Sequence, residues 1–165
     1  FSIDKHDYDP NGEVFRRPSA RGIILREGKL AMIYSRARGY YKLPGGGIEP
    51  GEDITSAMMR EVHEETGLTV LPESVREYGY VHRIQKGKRE PVFIQDNFYF
   101  LCEVTGSADA VTLTQEEQEE DFVPVFVTPQ EAIAANETAQ LEAAAAVMVE
   151  RENRVLRLLM EEGIV

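Results

Sequence analysis

The feature that most constrains this chain is a run of three glycines followed at once by an amphipathic pattern. Leu43-Pro44-Gly45-Gly46-Gly47 permits backbone conformations that side chains forbid, so we expect a loop there rather than a regular element. Downstream, Ile54, Met58 and Val62 recur every four residues, which is typical of one face of a helix. The sequence therefore predicts a glycine loop leading into a helix from about Ile54 to Thr66.

The predicted helix has capping residues at both ends and a regularly spaced set of polar residues. Asp53 or Thr55 is suited to cap its start, and Gly67 stands where a C-cap glycine belongs. The spaced polar residues and glycines are Gly46, Glu52, Arg60, Glu61, Glu64, Glu65 and Gly67. Because a helix turns about 100° per residue, Glu61 and Glu65 share one face, with Glu64 beside them.

Clustered carboxylates on one helix face favour divalent cations. Like charges one turn apart repel each other by roughly 0.2–0.5 kcal/mol per exposed pair, and bound cations relieve that repulsion. Mg²⁺ or Mn²⁺ prefers hard oxygen ligands and leaves positions for phosphate oxygens. Metals of this kind cancel phosphate charge and lower the pKa of water, and a free carboxylate can take the proton. A merely solvated acidic face is the alternative, and the adjoining glycine run argues against it.

The stretch from Gly46 to Leu68 resembles the sequence box of the Nudix family. The family pattern is G-x5-E-x7-R-E-U-x-E-E-x-G-U, with U an aliphatic residue, and every specified position is filled. The resemblance implies an α/β/α sandwich with a mixed β-sheet and a single domain over residues 1–165. Its expected parts are an N-terminal arm (1–18), the box (46–68) and a C-terminal helix (139–162).

The resemblance also implies an activity and a cofactor. The expected reaction is Mg²⁺- or Mn²⁺-dependent hydrolysis of the pyrophosphate bond in a nucleoside diphosphate linked to another moiety. More than one ion is expected per site. A nucleoside triphosphate or a nucleotide sugar is favoured as substrate.

Residue roles follow from the matching box positions. The expected metal ligands are Gly46 (through its carbonyl oxygen), Glu52, Glu61, Glu64 and Glu65. Glu61 is the preferred general base and Glu64 the second choice. Arg60 is expected to brace the carboxylates.

Further candidates for substrate contact lie outside the box, and a structural role stays open for each. They are Arg36, Arg38, Lys42, Tyr41, His82, Glu117 and Glu120. The three basic residues flank the glycine run, and the tyrosine can stack on a base or sugar. The histidine lies near a strand end beside Arg83, for which a structural role is favoured. The two glutamates belong to the acidic run 116–121, where many Nudix enzymes recruit one more acid and where we otherwise expect a solvated loop.

The rest of the chain predicts strands mixed with helices. Turn chemistry at Glu27-Gly28-Lys29 predicts a hairpin between 22–25 and 30–34, and the arm is expected to hold one strand near Val14. Further elements are predicted as strands at 75–84, 92–104 and 122–127, a short helix from Thr128, and a long helix over 139–162.

Composition limits the partners. The net charge of -11 argues against a nucleic-acid duplex or an anionic membrane surface, and no apolar stretch approaches the roughly 20 residues of a membrane span. A small phosphorylated nucleotide is the expected partner, and a homodimer is left open. A single cysteine, Cys102, excludes an internal disulfide and fits a reducing compartment, so we expect a cytoplasmic protein.

Two other classes remain. A nucleotide-binding or regulatory module would keep the fold without catalysis, but such proteins usually lose box glutamates. An isomerase acting on isoprenoid diphosphates would need a catalytic cysteine, and Cys102 lies in an apolar run that predicts a buried strand.

Overall fold

The computed structural model describes residues 1–165 and consists of twelve strands and four α-helices. The strands are β1 (Ser2–Asp4), β2 (Val14–Arg16), β3 (Ser19–Ile23), β4 (Leu25–Arg26), β5 (Lys29–Ser35), β6 (Tyr40–Lys42), β7 (Gly45–Gly47), β8 (Leu68–Val70), β9 (Arg76–Gln85), β10 (Val92–Leu101), β11 (Val104–Ala108) and β12 (Phe122–Val127). The helices are α1 (Ile54–Thr66), α2 (Gln115–Glu119), α3 (Pro129–Thr138) and α4 (Ala143–Glu161).

A six-stranded mixed sheet forms the centre of the molecule. Its strand order is β1-β9-β10-β3-β7, with β2 also paired to β10. The pairs β1–β9 and β10–β3 are parallel, whereas β9–β10 and β3–β7 are antiparallel. A second sheet has the order β12-β5-β4 with β6 on β5, and β8 pairs with β11.

Two helices cover opposite faces of the central sheet. Ala57, Met58 and Val62 of α1 share a buried cluster with Ala20 and Phe100 of the sheet. On the other face, a separate buried cluster joins the sheet to α4 through apolar side chains, among them Ile3, Val81, Tyr99, Val155, Leu156 and Leu159. The predicted α/β/α sandwich with a mixed sheet is confirmed.

The box helix forms where the apolar period predicts it. The Asp53 side chain caps the start by accepting a hydrogen bond from the Ser56 backbone N–H at 3.0 Å. Gly67 ends the helix with a positive φ of 73°, which glycine adopts without strain. Gly22 lets α1 lie close to β3, because a Cβ there would stand 2.8 Å from Val62 Cγ2.

Two predicted loops are regular elements instead. The glycine run forms strand β7, because the edge of β3 offers it a partner and Gly46 pairs opposite Ala20. The acidic run is helical at Gln115–Glu119, because Thr114 and Glu117 form a reciprocal capping box that satisfies two backbone donors. Both expectations of irregular structure were therefore wrong.

The hairpin turn is confirmed but its strands are shared between two sheets. Glu27 and Gly28 both have positive φ, 51° and 73°, and Leu25 pairs with Leu30. The preceding strand β3 leaves this hairpin and pairs with β10 in the central sheet. The residues of the turn predict the local chain reversal, but they do not predict that β3 pairs with β10 instead of with β5.

Three other boundaries differ from prediction. The C-terminal helix begins at Ala143 rather than at residue 139, after α3 has ended at Thr138. The predicted strand 92–104 divides into β10 and β11, with Cys102 and Glu103 between them. The N-terminal arm contributes two strands to the central sheet, and Ile3 is buried in the core.

The longest helix, α4, is amphipathic with charged residues on its buried side. It has 19 residues, and Arg151 and Glu152 are among those it buries. No helix of the protein combines the length and apolar composition needed to cross a bilayer.

Candidate active site

Three carboxylates from two helices meet beside the glycine strand. Oxygen atoms of Glu61, Glu65 and Glu117 all lie within 4.8 Å of one another. The first two come from α1, one helical turn apart, and Glu117 comes from α2. The structure thus brings together two of the predicted box ligands and one of the two candidates from the acidic run.

Gly46 makes this cluster sterically possible. A Cβ at this position would stand 2.6 Å from Glu61 Cδ, closer than non-bonded carbon atoms approach. The absence of a side chain at Gly46 lets the Glu61 carboxylate lie directly against the β7 backbone. The glycine requirement predicted from sequence is therefore visible as a close approach between strand and carboxylate.

Arg60 connects the box carboxylates to each other and to the glycine strand. Its guanidinium donates to both Glu52 oxygens at 2.8 and 3.0 Å, to Glu61 at 2.9 Å and to Glu64 at 3.2 Å. It also donates to the Gly47 carbonyl at 3.1 Å. The hydrogen bonds from Arg60 lower the pKa of Glu52 to about 2, so Glu52 stays ionised as the counter-charge that orients the arginine.

Glu65 is the most buried member of the cluster. It is 1% exposed, and its oxygens accept hydrogen bonds from Lys42 Nζ at 2.6 Å and from the Gly45 backbone N–H at 2.9 Å. Burial raises the pKa of Glu65, and the Lys42 ammonium opposes that rise. Lys42 itself lies over the Phe122 ring, 4.7 Å from its centroid. The residue predicted to contact substrate phosphate is thus a buried partner of a box glutamate.

Glu61 and Glu64 differ in their surroundings. The Glu61 side chain is 13% exposed. Burial raises its pKa, and this effect outweighs the hydrogen bond and positive charge of Arg60, which lower it. The Glu64 side chain is 38% exposed and lies outside the cluster of three carboxylates. Of the two candidate bases, Glu61 is the one held against the glycine strand.

The basic residues upstream of the glycine run pair with the acidic segment. Arg36 donates to both oxygens of Asp121, at 2.9 and 2.7 Å, with both side chains exposed. Arg38 pairs with Glu120 at 2.8 Å. Glu120 also accepts from the Ser35 hydroxyl at 3.1 Å. Glu120 is therefore held by neighbours around Ser35, whereas Glu117 joins the carboxylate cluster.

The remaining predicted contacts lie away from the carboxylates. Tyr41 stacks on Tyr34 with ring centroids 4.5 Å apart, and its backbone is bound by Asn136 of α3. His82 Nδ1 lies 2.7 Å from Asp96 on the neighbouring strand β10. Neither residue contacts the three clustered carboxylates, and a substrate role for either stays a prediction.

The single cysteine is buried beside α1. Cys102 is 7% exposed and belongs to the cluster that contains Met58 and Val62. Burial raises its pKa to about 12, so the thiol is not poised as a nucleophile or acid. This removes the cysteine that isoprenoid diphosphate isomerisation would require.

A second set of charged residues lies on the α4 face of the sheet and was not assigned to the site from sequence. Arg21, Arg83, Arg151 and Glu152 are all buried there. Arg21 reaches the glycine strand by donating to the Gly45 carbonyl at 3.2 Å. Part of this set could have been predicted from strand alternation. Arg83 and Gln85 are two residues apart and so lie on one face of the sheet, together with their pairing partners Gln95 and Phe93.

Comparisons with known proteins agree with this geometry. A family model described as the NUDIX domain matches residues 16–154. The human 8-oxo-dGDP phosphatase NUDT18 is 33% identical over 93 residues, covering 56% of this chain and 24% of that protein. The mouse nucleoside diphosphate-linked moiety X motif 6 is 31% identical over 113 residues, covering 68% of this chain and 32% of that protein. The chain spans about a quarter to a third of the length of the curated relatives it matches.

Solved structures share the fold at low sequence identity. A NUDIX hydrolase from Nitrosomonas europaea superposes with a TM-score of 0.60 at 20% identity, covering 86% of this chain and 90% of that one. A MutT NUDIX hydrolase from Burkholderia pseudomallei gives a TM-score of 0.54 at 22% identity, covering 82% and 97%. Because the family model spans most of the chain and includes the whole acidic helix, this protein belongs to the Nudix family.

Proposed function

We propose that this protein hydrolyses the pyrophosphate bond of a nucleoside diphosphate linked to another moiety, with Mg²⁺ or Mn²⁺ as cofactor. The observation that carries the proposal is the convergence of Glu61, Glu65 and Glu117 beside the glycine strand. The relatives named 8-oxo-dGDP phosphatase NUDT18 and nucleoside diphosphate-linked moiety X motif 6 support the substrate class. A nucleoside triphosphate or a nucleotide sugar is the favoured substrate.

The clustered carboxylates of Glu61, Glu65 and Glu117 are suited to bind divalent cations, because they offer oxygen ligands and lie close enough together to repel each other. Three carboxylates within 4.8 Å repel each other; Glu65 pairs with Lys42 and Glu61 with Arg60, whereas Glu117 has no basic partner. Each carboxylate oxygen has two lone pairs, so Glu65 can still accept a metal while bound to Lys42 and Gly45. The proposed ligands are Gly46, Glu52, Glu61, Glu64 and Glu65, with Glu117 added. Bound there, the ions would neutralise phosphate charge and lower the pKa of a nucleophilic water.

Glu61 is proposed as the general base. A general base must lie within hydrogen-bond reach of the water it deprotonates, and Glu61 lies directly against Gly46, whose carbonyl is a proposed metal ligand. Arg60 acts as a positioning residue, because the pair of hydrogen bonds to Glu52 fixes the guanidinium that holds Glu61. Glu64 is the second choice because its side chain is more exposed.

Substrate binding is proposed to involve residues outside the Nudix box. Arg36 and Arg38 are long, partly exposed side chains that could exchange their carboxylate partners for substrate phosphates. Tyr41, His82 and Glu120 are proposed as weaker contacts.

The cellular context is proposed from composition. A single buried thiol is consistent with a reducing cytoplasm. The net charge of -11 disfavours a nucleic-acid duplex or anionic membrane as partner. We propose one domain over residues 1–165, and we keep a homodimer as the candidate assembly.

The direct test is a substrate panel with the wild-type protein and Glu61→Gln. Nucleoside triphosphates, nucleotide sugars, ADP-ribose and dinucleotides are incubated with Mg²⁺, Mn²⁺ or EDTA, and products are identified by mass. We expect metal-dependent hydrolysis, and a fall in kcat of roughly 10²–10⁴-fold in Glu61→Gln, the range typical of losing a general base.

The matched control is Glu49→Gln, an exposed glutamate just upstream of the helix, which should leave kcat unchanged. Thermal melting checks that both variants fold. If Glu61→Gln retained near-wild-type kcat, the assigned mechanism would be wrong. If the wild type bound nucleotides but hydrolysed none, the non-catalytic binding module would replace this proposal.

A further inference from the structure

The helix that brings Glu117 to the carboxylate cluster has little packing of its own. Helix α2 has five residues, and none of them is buried. Isolated helices shorter than roughly 12 residues are marginal in water, because the first turn costs more free energy than a few further residues recover. The position of Glu117 is therefore set by the segments that flank α2.

The segment before α2 lies on the C-terminal end of α1. This strap, residues 109–114, connects β11 to α2. The Thr112 backbone N–H donates to the Glu64 carbonyl oxygen at 2.7 Å. The Asp109 backbone N–H donates to the Gly67 carbonyl oxygen at 2.8 Å. Because the last carbonyl groups of a helix have no intrahelical partners, the strap satisfies acceptors that the end of α1 leaves open.

Gly67 and His63 complete the contact between the strap and α1. A Cβ at Gly67 would overlap the carbonyl oxygen of Asp109, so a side chain there would push the strap away from the helix. The Asp109 carboxylate lies 3.0 Å from Nε2 of His63, one turn before Gly67. The box glycine thus allows the strap to approach, in addition to ending the helix.

The strap ends in the residue that caps α2. The Thr114 hydroxyl accepts a hydrogen bond from the Glu117 backbone N–H at 3.3 Å. The Thr114 backbone N–H donates to Glu117 Oε2 at 2.8 Å, whereas Glu117 Oε1 accepts no hydrogen bond from the protein. One oxygen of Glu117 is therefore bound to the strap, and the other can bind a cation.

The segment after α2 is attached to a different part of the molecule. The Ser35 hydroxyl donates to the Glu120 carbonyl oxygen at 2.9 Å, and the Arg36 backbone N–H donates to the Asp121 carbonyl oxygen at 3.2 Å. These contacts join α2 to the turn between β5 and β6, which carries none of the clustered carboxylates. The strap, by contrast, connects Glu117 to the helix that carries the other two.

We propose that Asp109 and Thr112 are positioning residues for metal binding, because they bind the strap to the end of α1 and so hold Glu117 beside the carboxylates of that helix. This rests on the proposed function, in which Glu61, Glu65 and Glu117 bind Mg²⁺ or Mn²⁺. Without metal, the three carboxylates repel each other, and the strap opposes that repulsion. With metal, the ion and the strap hold the same carboxylate, so each favours the other.

Two proline variants separate the loss of the hydrogen bond from the general effect of a proline. Thr112→Pro removes the N–H that donates to Glu64, whereas Val111→Pro removes an N–H that donates to no protein atom. Both positions lie in the strap, outside helices and strands. Thermal melting and circular dichroism of the metal-free proteins check that both variants fold.

The first measurement is Mg²⁺ binding by titration calorimetry, without substrate. We expect the Kd of Thr112→Pro to be roughly fivefold higher than that of the wild type, the effect of losing about one hydrogen bond. The Kd of Val111→Pro should stay within about twofold of the wild-type value. Asp109→Ala keeps the backbone N–H and loses only an exposed contact with His63, so its Kd should rise by about twofold.

The second measurement asks whether the strap acts through Glu117. In the Glu117→Gln background, Thr112→Pro should leave the Kd for Mg²⁺ unchanged, because the carboxylate that the strap positions is gone. A merely structural effect on α1 would raise the Kd by the same factor in both backgrounds. Equal factors, or an unchanged Kd in Thr112→Pro alone, would overturn the proposal.

Amide exchange measured by NMR reports on α2 itself. The Gln118 and Glu120 backbone N–H groups donate within this segment, to Thr114 and Glu116. In metal-free protein, Thr112→Pro should speed the exchange of both amides relative to Val111→Pro. Mg²⁺ should slow their exchange in the wild type and not in Glu117→Gln.

The two proposals fail in different ways. If the wild type binds Mg²⁺ and hydrolyses nucleotides, but Thr112→Pro matches Val111→Pro in Kd and in amide exchange, the strap is not a positioning element and the hydrolase remains. If the wild type binds no Mg²⁺ and hydrolyses nothing, the proposed function fails, and the metal role of Glu117 fails with it. Amide exchange in the metal-free protein then still decides whether the strap holds α2.

Discussion

The two sides of the glycine strand Gly45–Gly47 carry opposite charge. On the α1 side, Glu61 lies against Gly46 and belongs to a cluster of three carboxylates. On the α4 side, Arg21 binds the Gly45 carbonyl and lies with Arg151 beside Glu152. A strand only three residues long separates an acidic cluster from a basic one.

The difference lies in what neutralises the charge on each side. The carboxylate side needs cations from solution, and those ions attract phosphate. On the arginine side the acceptors belong to the chain: Arg151 binds Glu152 and the side-chain oxygens of Gln95 and Asn97, and Arg21 binds backbone carbonyls of the glycine strand region.

The largest expected effect comes from breaking the arginine side. Glu152→Gln removes the carboxylate that pairs with Arg21 and Arg151, and it weakens the hydrogen bond from the Leu43 backbone N–H at 2.8 Å. Removing one partner of a buried ion pair costs about 3–5 kcal/mol. We therefore expect the free energy of unfolding, measured in urea, to fall by about that amount.

The control for this change is two residues away. Glu150 is 42% exposed and pairs with Lys5, so Glu150→Gln should cost less than about 1 kcal/mol. Equal losses in the two variants would show that the buried arginines do not depend on Glu152.

Crowding the acidic side should mainly affect catalysis. Gly46→Ala puts a methyl group 2.6 Å from Glu61 Cδ, so the carboxylate must move away from the strand. We expect kcat to fall by roughly 100-fold, since a misplaced catalytic group commonly has an effect of that size. Gly47→Ala is the matched control, because its Cβ would meet only the flexible end of Arg17 at 3.3 Å. Similar kcat values for the two variants would contradict the close approach seen at Gly46.

A smaller effect is expected from the third carboxylate. Glu117→Gln removes its charge, while glutamine can still accept the hydrogen bond from the Thr114 backbone N–H that completes the capping box. We expect the Mg²⁺ concentration for half-maximal activity to rise by roughly tenfold, because one hard anionic ligand is lost. Glu116→Gln, one residue earlier and exposed, should leave that concentration unchanged. No rise in Glu117→Gln would remove this residue from the metal site.

The acidic side was largely predictable from sequence because its chemistry is local. The carboxylates of Glu61 and Glu65 share a face through helix geometry alone, and Asp53 and Gly67 fix the helix ends. The glycine requirement also follows from residue type. The sequence did not predict which acidic residue of the 116–121 run joins the carboxylate cluster. That depends on the position of Glu117 in α2, where its side chain forms the capping box with Thr114.

The basic side was not predictable because its residues meet through the sheet order. Arg21, Arg83 and Arg151 come from β3, β9 and α4, and strand alternation gives each a face without giving its neighbours. The same limit explains the glycine strand: β7 is extended because β3 lies beside it, which no local pattern indicates. Pairing of Lys42 with Glu65 is likewise a long-range contact.

The smallest expected effect is a pH dependence on the acidic side. Burial raises the pKa of Glu61 above 4.5, the value for an unperturbed glutamate, so the metal-free folded protein holds this proton more tightly than the unfolded chain does. The contribution of Glu61 to stability is therefore fully present below pH 4.5 and is lost as pH rises through the folded pKa. The glutamine in Glu61→Gln does not titrate. In EDTA, the free energy of unfolding of Glu61→Gln should therefore increase relative to that of the wild type as pH rises through the folded pKa of Glu61, and the difference should persist at neutral pH. Urea titrations at intervals between pH 4 and pH 8 measure the difference, and added Mg²⁺ should reverse its sign at neutral pH because the ion binds the charged form. A difference that stayed flat with pH would mean that Glu61 is solvated like a surface carboxylate, and the contrast between the two sides of the strand would lose its acidic half.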